Sequence, residues 1–192
     1  MIRYSLKRPS QLDIGLMGAC FRRFFKGEPW CEALICPGCK SFDDYGPNHT
    51  WGEGGPSVCP VCGVSTVPYW SDERVGNYLL KRDDSFGVVA ESDDSITGWA
   101  WGYPLGDNTF YLDTVGIIEE QRKAHLVEHL TAFAWFLGQL SRMGYQEART
   151  RTHDKARNVH LLLRRFGFAK VEPSTEDPER SYWVASLAGP LV

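Results

Sequence analysis

The chain has 192 residues, enough for one large domain or for one domain that carries a small insert. Hydrophobic residues make up 43% and charged residues 23%, which is typical of a globular chain and argues against a disordered one. The net charge of -3 argues against a general polyanion binder. We find no apolar run of about 20 residues and no apolar leader, so we expect neither a membrane-spanning nor a secreted protein, but a cytoplasmic one.

The first 33 residues predict a strand and a helix. The segment Ile2 to Leu6 is typical of a strand. Ser10, with Asp13 three residues later, has the pattern of a helix cap, and Gly27 and Pro29 end the helix. The apolar positions of this helix recur on one face, at Leu12, Leu16, Met17, Cys20, Phe21 and Phe24.

Four of the six cysteines form two Cys-x-x-Cys pairs: Cys36, Cys39, Cys59 and Cys62. Tetrahedral zinc needs four thiolates that converge on one point, and each Cys-x-x-Cys turn places two of them on the same side of a tight knuckle. Two such turns 19 residues apart therefore predict a structural Zn2+ site, with two disulfides or free thiols as the alternative. Cys31 is either an additional ligand or a buried thiol.

The segment between the two cysteine pairs, residues 40–58, is rich in glycine and proline. Such a segment buries too little apolar surface to fold alone, so we expect the metal to supply its folding free energy. The charged residues of this segment are one lysine, Lys40, and three acidic residues, Asp43, Asp44 and Glu53. An acidic segment argues against nucleic-acid binding. The whole pattern resembles a zinc ribbon over residues 34–65.

A second helix and three strands follow. Ser71 predicts the cap of a helix that runs to about Arg82. The segments 86–91, 96–103 and 109–116 are typical of strands and predict an antiparallel meander. The alternation of the second strand places one set of side chains on each face: Thr97, Trp99, Trp101 and Tyr103 against Gly98, Ala100 and Gly102.

A long helix is predicted from about Gln121 to Gly144, which would take the C′ position. Its apolar residues recur at spacings of four and three and predict one continuous buried stripe: Leu126, Leu130, Phe133, Leu137 and Leu140. A strand over 145–152, a helix over 156–166 and two strands near 168–172 and 181–187 complete the chain. This strand–helix–strand–helix order requires a partly parallel sheet with helices packed on it, an α/β (α+β) fold.

This order of elements resembles the GNAT superfamily of acyl-CoA-dependent N-acyltransferases. Further resemblance comes from Gly98, from the run Val115 to Leu126 and from the closing helix that ends in Gly167 and Phe168. It covers residues 1–33 and 66–192, which we predict to form the acyltransferase domain, with the four-cysteine zinc ribbon of residues 34–65 inserted between the first two helices. The resemblance implies a mixed, mostly antiparallel sheet flanked by helices. It also implies acetyl transfer from acetyl-CoA, or another acyl-CoA, to an amine, and a ribbon near the acceptor site.

The GNAT family opens its long helix with Arg or Gln, two residues, Gly, one residue, then Gly or Ala. This chain has Gln-Arg-Lys-Ala-His-Leu from Gln121 to Leu126. The resemblance implies that helix N-terminal amides bind the cofactor pyrophosphate there, assisted by Arg122 and Lys123, while Leu126 replaces a small residue. The alternative is that Leu126 begins the buried stripe and the groove is closed. By the same resemblance the acyl carbonyl lies at a bulged strand end near Gly116, so the predicted cofactor-binding residues are Val115, Gly116, Ile117, Gln121, Arg122, Lys123, Ala124, His125 and Leu126.

Asp113, on the strand 109–116, is the candidate general base. Its alternatives are a solvated residue or an ion pair with Arg149 or Arg151. Leu163 stands where the family has a tyrosine that protonates the departing thiolate, so the resemblance offers no general acid. The competing hypothesis is therefore a catalytically degenerate GNAT-like protein that serves as a zinc-stabilised interaction module. The acceptor could be a small molecule, a peptide or a protein, and the oligomeric state is not indicated.

Two pairs of polar residues leave alternatives open. His125 and His129 lie one helical turn apart, a spacing that can bind metal, but with no third ligand we expect surface or half-buried histidines. His153 and Asp154 lie just beyond a strand end, where they form either part of a site or a turn and a helix cap.

Overall fold

The computed structural model describes residues 2–39, 50–93, 95–173 and 179–188. Of the charged positions of the predicted ribbon, the lysine at 40 and the aspartates at 43 and 44 lie outside these residues. The chain divides into two compact units, one of residues 1–12 and 79–192 and the other of residues 13–78. The second unit is wider than the predicted insert of residues 34–65, whose bounds stay a prediction. Across the described residues, no helix combines the length and the apolar character needed to cross a membrane.

The described residues form the following elements in chain order: β1 (Arg3–Lys7), α1 (Ile14–Phe24), β2 (Leu34–Ile35), β3 (Thr50–Trp51), β4 (Val67–Pro68), α2 (Asp72–Leu79), β5 (Phe86–Ser92), β6 (Ser95–Pro104), β7 (Thr109–Ile117), α3 (Glu119–Ala124), α4 (Leu126–Arg142), β8 (Glu147–His153), α5 (Arg157–Arg165), β9 (Ala169–Pro173) and β10 (Arg180–Ser186). The first helix begins later than predicted. Asp13, and not Ser10, is its cap, because the Asp13 carboxylate accepts the Leu16 N–H at 3.0 Å. Ser10 lies in a single 3-10 turn instead.

Seven strands form one sheet in the order β1-β5-β6-β7-β8-β10-β9. Every neighbouring pair is antiparallel except β7 and β8, which are parallel. The long crossover between these two strands contains α3 and α4, as a parallel pair requires. The predicted mixed, mostly antiparallel sheet flanked by helices is thereby confirmed. Among its described residues, the second unit holds α1, most of α2 and a small antiparallel sheet of two-residue strands in the order β3-β2-β4.

The core of the sheet unit lies beneath α4, whose buried residues are His129, Ala132, Phe133, Phe136, Leu137 and Leu140. The last four of these pack against Phe110 and Leu112 of β7 and Leu163 of α5. The predicted stripe is therefore wrong at its first member, since Leu126 is 46% exposed. The helix is interrupted at His125, so Leu126 lies in the terminal turn of α4, beyond the packed part of the helix.

A β-bulge at Asp113 changes which face of the sheet each residue of β7 occupies. Trp101 of β6 pairs with Thr114, whereas the next residue of β6 pairs with Leu112, so Asp113 is the extra residue. Before the bulge Leu112 lies in the core beneath α4, and after it Val115 packs there. The bulge expected at Gly116 is wrong, because Gly116 pairs in register with a tryptophan, Trp99, whose indole fills the space that a Cβ would need.

Candidate functional site

The strands β7 and β8 pair over only part of their length. The ladder joins Thr109–Leu112 with Glu147–Thr150 and then ends. β7 nevertheless continues to Ile117 along β6, and β8 continues to His153 along β10. The sheet therefore opens between two strands that each keep their other neighbour.

This opening presents backbone polar groups of β7. The Ile118 N–H donates to the Thr97 carbonyl on the β6 side at 3.1 Å. Because alternate residues of a strand point their backbone groups to opposite sides, the N–H and C=O groups of Val115 and Ile117 point toward the opening. The Arg122 Nε–H already donates to the Ile117 carbonyl at 3.0 Å. The N–H groups of Val115 and Ile117 could thus both donate hydrogen bonds to one carbonyl oxygen placed in this opening.

The predicted pyrophosphate segment, Gln121 to Leu126, is helical for most of its length. α3 ends at Ala124, and α4 begins after the interruption at His125. The first intrahelical bond of α4 runs from the His129 N–H to the His125 carbonyl at 3.2 Å, which leaves the amides of residues 126–128 at the helix N-terminus. Leu126 is exposed, so the alternative in which it begins the buried stripe is wrong.

A small cavity lies beneath the first turns of α4. Its volume is about 20 Å³, room for one water molecule, and its lining includes Gly98, Gly116 and His129. Of the two histidines expected to be at the surface or half-buried, His125 is half-buried, whereas His129 is only 4% exposed and the expectation is wrong there. Burial lowers the pKa of His129, and among the described residues its Nε2 atom has no hydrogen-bond partner. A Cβ at position 98 would lie 2.8 Å from the imidazole Nδ1, so this packing requires glycine.

Asp113 forms an ion pair that the sequence did not indicate. Its Oδ2 atom lies 2.6 Å from the Nζ atom of Lys81, while Arg149, one of the two expected partners, pairs with Glu147 on its own strand. Lys81 follows α2 and is far from Asp113 in sequence, so no local pattern could identify it. A catalytic role of Asp113 stays a prediction.

Three tyrosines and Arg151 lie around Asp113 on the face of the sheet opposite α4. The rings of Tyr103 and Tyr111 have centroids 5.3 Å apart, and Tyr182 pairs with Arg151 across β10 and β8. Burial raises the pKa of Tyr103 and of Tyr111, and the Asp113 carboxylate adds to both shifts. The sequence placed Tyr103 on an aromatic face but did not indicate that the other two tyrosines share it.

The carboxyl end of β8 forms a turn. The Lys155 N–H donates to His153 Nδ1 at 3.1 Å, and the other ring nitrogen lies 3.2 Å from Glu179. Asp154 accepts a hydrogen bond from the Ser181 hydroxyl at 2.6 Å. The expected turn is present, but Asp154 does not cap α5, whose N-cap residue is Ala156.

The position expected to hold a general acid lies in the apolar core. Leu163 is 1% exposed and packs beneath α4 with Phe133 and Phe168. A leucine carries no proton to donate, so the thiolate would have to be protonated by another group or by water.

The four cysteines of the two pairs come together in the unit of residues 13–78. Their four Sγ atoms lie within 4.8 Å of one another, with 3.4 Å between Cys36 and Cys62 and 3.6 Å between Cys39 and Cys59. Four thiolates bound to zinc at about 2.3 Å would have their sulfurs about 3.8 Å apart, so the cluster fits the metal. Cys31, the possible additional ligand, is not part of it.

Backbone amides at the second cysteine pair favour a thiolate. The N–H groups of Cys62 and Val61 donate to the sulfur of Cys59 and, against the effect of burial, lower its pKa to about 6. Burial raises the pKa of Cys36, and hydrogen bonding to Cys62 raises that of Cys39. A dication at the centre would favour the deprotonated form of all four.

No protein-family model matches this sequence, and no curated protein matches it. Solved structures do match the fold. The ribosomal-protein-S18-alanine N-acetyltransferase of Escherichia coli superposes with a TM-score of 0.61 at 10% identity, covering 100% of this chain and 99% of that one. The PaiA N-acetyltransferase of Thermoplasma acidophilum, solved in complex with coenzyme A, has a TM-score of 0.61 at 15% identity over 97% of this chain and 99% of its own.

A third solved structure matches part of the chain. A GNAT-family protein of Desulfovibrio desulfuricans has a TM-score of 0.51 at 16% identity, over 61% of this chain and 78% of its own. At these identities the likeness concerns the fold, and activity has to be argued from the site. The chain has the fold of the GNAT N-acetyltransferases.

Proposed function

We propose that this protein is an acyl-CoA-dependent N-acyltransferase that transfers an acetyl group from acetyl-CoA to an amine. The observation that carries the proposal is the incomplete pairing of β7 and β8, which leaves the N–H groups of Val115 and Ile117 toward an open space. In the reaction the amine nitrogen attacks the thioester carbonyl, a C–N bond forms and the C–S bond breaks. Donors aimed at that carbonyl stabilise the negative charge that develops on its oxygen.

The cofactor is proposed to extend from β7 to the start of α4. The thioester carbonyl would accept from Val115 and Ile117, with Gly116 between them. The pyrophosphate would lie at the segment Gln121, Arg122, Lys123, Ala124, His125 and Leu126, where the amides of the first turn of α4 and two cationic side chains favour an anion. The Gln121 Oε1 atom is buried and, among the described residues, has no hydrogen-bond partner, which supports a ligand or water at this position.

Calorimetry with coenzyme A tests the cofactor assignment. Wild-type protein is expected to show saturable binding, and the double substitution Arg122→Glu with Lys123→Glu is expected to weaken it at least about tenfold, because two charge-assisted contacts are replaced by repulsion. Arg142→Glu, in the last turn of α4, is the control and should bind as the wild type does. A wild-type protein that does not bind coenzyme A contradicts the proposal.

Asp113 is proposed as the general base that takes a proton from the acceptor ammonium. Its carboxylate is at the bulge where β7 and β8 part, and the Lys81 ammonium holds it in place at 2.6 Å. Removal of a well-placed base typically lowers the rate about 10² to 10⁴-fold. Asp113→Asn should therefore reduce kcat in a thiol-release assay while leaving coenzyme A affinity unchanged. An unchanged kcat would remove Asp113 from the mechanism.

The alternative proposal is a GNAT-like interaction module without activity. Two observations favour it: α3 replaces an open glycine-rich loop, and the Arg122 side chain binds the Ile117 carbonyl beside the proposed thioester position. Glu128, in the first turn of α4, would also oppose a pyrophosphate. This alternative predicts no heat of binding with coenzyme A and no thiol release with any amine.

We also propose that Cys36, Cys39, Cys59 and Cys62 hold one structural Zn2+. Four protein thiolates complete its tetrahedral shell, so the ion would have no open position for catalysis. Elemental analysis should find one zinc per chain, and Cys39→Ser should lower that value while Cys31→Ser should not.

That the ribbon shapes acceptor access, and that the protein is cytoplasmic, stay predictions from the sequence. A ribbon exchange that alters the acceptor range without altering coenzyme A affinity would support the first.

A further inference from the structure

The small cavity beneath the first turns of α4 lies directly beside the proposed thioester position. Val115, Gly116 and Ile117, which continue β7 past the end of its ladder with β8, are part of its lining. Phe133 of α4 and Leu162 of α5 line it from the helices that cover this face of the sheet. An acyl group whose carbonyl accepts from the N–H groups of Val115 and Ile117 would therefore have this cavity next to its second carbon.

Small residues form the floor of this cavity on the sheet. Gly98 and Ala100 of β6 pair in register with Ile117 and Val115 of β7, and Ala90 of β5 pairs with Gly98. Cross-strand partners share a face, and Ala100 and Val115 belong to the core beneath α4, so all five positions face this helix. Because glycine and alanine do not fill the space under α4, about 20 Å³ remains, which is room for one water molecule or one further atom of a ligand.

One polar atom of the lining lacks a partner. Of the lining side chains, Trp99 and His129 carry polar atoms, and the Trp99 Nε1–H donates to the Thr114 hydroxyl at 3.1 Å. The Nε2 atom of His129 is buried and, within the part of the chain that the structure describes, has no hydrogen-bond partner. Buried polar atoms in proteins are normally paired with protein, water or ligand. The cavity is therefore apolar except where His129 borders it.

A hydroxyl group suits the imidazole of His129 whichever ring nitrogen carries the proton. It can donate to a bare ring nitrogen or accept from a protonated one, as a water molecule can. A methyl group in the same place can do neither, and it would leave the buried nitrogen unpaired, which is unfavourable. Because the cavity holds one such atom, the acyl group that fills it ends one atom beyond its second carbon.

We infer that His129 determines which acyl group this protein accepts: a glycolyl group binds with its hydroxyl on His129 Nε2, in preference to the propionyl group of the same size. The inference rests on the proposed function and extends it to the acyl group of the donor. Acetyl, one atom shorter, fits with a water molecule retained beside His129, whereas butyryl exceeds the cavity. The hydroxyl takes no part in the reaction, in which the C–N bond forms and the C–S bond breaks as in acetyl transfer.

Calorimetry with acyl-CoA compounds tests the inference without knowledge of the acceptor. Glycolyl-CoA and propionyl-CoA differ only by a hydroxyl in place of a methyl group. The wild type should bind glycolyl-CoA at least about fivefold more tightly, because propionyl leaves a buried nitrogen unpaired. It should bind butyryl-CoA at least about tenfold more weakly than acetyl-CoA, because the longer chain overfills the cavity.

Three variants assign the preference to His129. His129→Leu keeps an apolar side chain of similar size without the polar atom and should abolish or reverse the preference for glycolyl-CoA. His129→Gln places an amide near the same position and should retain part of it. Phe133→Leu, which changes another wall of the same cavity but no polar atom, is the matched control and should retain the preference.

Equal affinities of the wild type for glycolyl-CoA and propionyl-CoA would overturn the inference, as would a preference that His129→Leu retains. Coenzyme A without an acyl group does not reach the cavity, so its affinity should be the same in all variants and shows whether each is folded. Where His129→Leu does not fold, the ¹⁵N resonance of His129 Nε2 in the wild type decides: a larger shift with glycolyl-CoA than with propionyl-CoA supports the inference, and equal shifts reject it. Failure of the wild type to bind coenzyme A at all instead rejects the proposed function.

Discussion

The seven-stranded sheet unit and the ribbon segment, residues 34–65, are stabilised in different ways. Beneath α4 the side chains of Phe110, Phe136 and Leu137 are fully buried. In the ribbon Val61 is 76% exposed and Val58 is 48% exposed, and the described strands are only two residues long. Burial of apolar side chains therefore explains the stability of the sheet. In the ribbon, the four cysteine sulfurs come together instead, at the site proposed for zinc. The zinc proposed for this cluster would join the parts of a segment that buries few apolar side chains.

The strongest test of this difference is removal of the proposed zinc. Structural zinc contributes about 10–16 kcal/mol in zinc-finger peptides, so chelation or Cys59→Ser should unfold the ribbon. Hydrogen exchange should then become fast in residues 50–68 and stay slow in β5, β6 and β7. Cys31→Ser, outside the cluster, should leave both regions protected. Equal protection of the ribbon with and without chelator would mean that apolar packing stabilises it after all.

The converse test weakens the sheet core. Phe136→Ala removes a fully buried ring from α4 and should lower the free energy of unfolding of the sheet unit by about 3–5 kcal/mol. Leu126→Ala, at an exposed position of the same helix, should change it by less than about 0.5 kcal/mol. Denaturant titration followed by exchange in β7 measures both. Similar losses of unfolding free energy in the two variants would mean that Leu126 is packed in the core, as the predicted continuous stripe requires.

A third test concerns the close packing of Gly98 against His129. Gly98→Ala places a methyl group 2.8 Å from Nδ1 and should lower the free energy of unfolding by about 1–3 kcal/mol. Combining it with His129→Ala should recover part of that loss, since the two side chains would no longer compete for one space. Thermal unfolding of the four proteins gives the coupling, and additive losses would mean that the two residues do not interact.

The smallest expected effect is the pH dependence from His129. Burial places its folded pKa below the ordinary value of 6.5, with a further lowering by His125 and an opposing effect of Glu128. The unfolded chain therefore binds the proton more readily, and His129 destabilises the fold as the pH falls through 6.5. Relative to His129→Gln, the wild type should lose stability as the pH falls from about 7.5 through 6.5. A constant difference between the two proteins over this range would contradict the shift.

Sequence alone determined those properties of this protein that depend on local spacing and on the order of elements. Each Cys-x-x-Cys turn positions two sulfurs by its own local geometry, so the spacing already indicated which four residues lie together. The order strand, long helix, strand likewise indicated a parallel pair, because a helix between two neighbouring strands returns the chain to the edge at which the first strand began. β7 and β8 are joined in this way.

Tertiary structure decided the rest, because periodicity indicates that a residue faces a partner but not which partner, nor whether the partner extends that far. Leu126 continues the apolar spacing of α4, yet no core covers the end of the helix and the residue is exposed. Asp113 occupies a regular strand position in the sequence, but the one-residue offset between β6 and β7 makes it the bulge and Lys81 its partner. The end of the ladder after Leu112, on which the proposed function depends, is likewise set by how far two distant strands can remain together while each keeps its other neighbour.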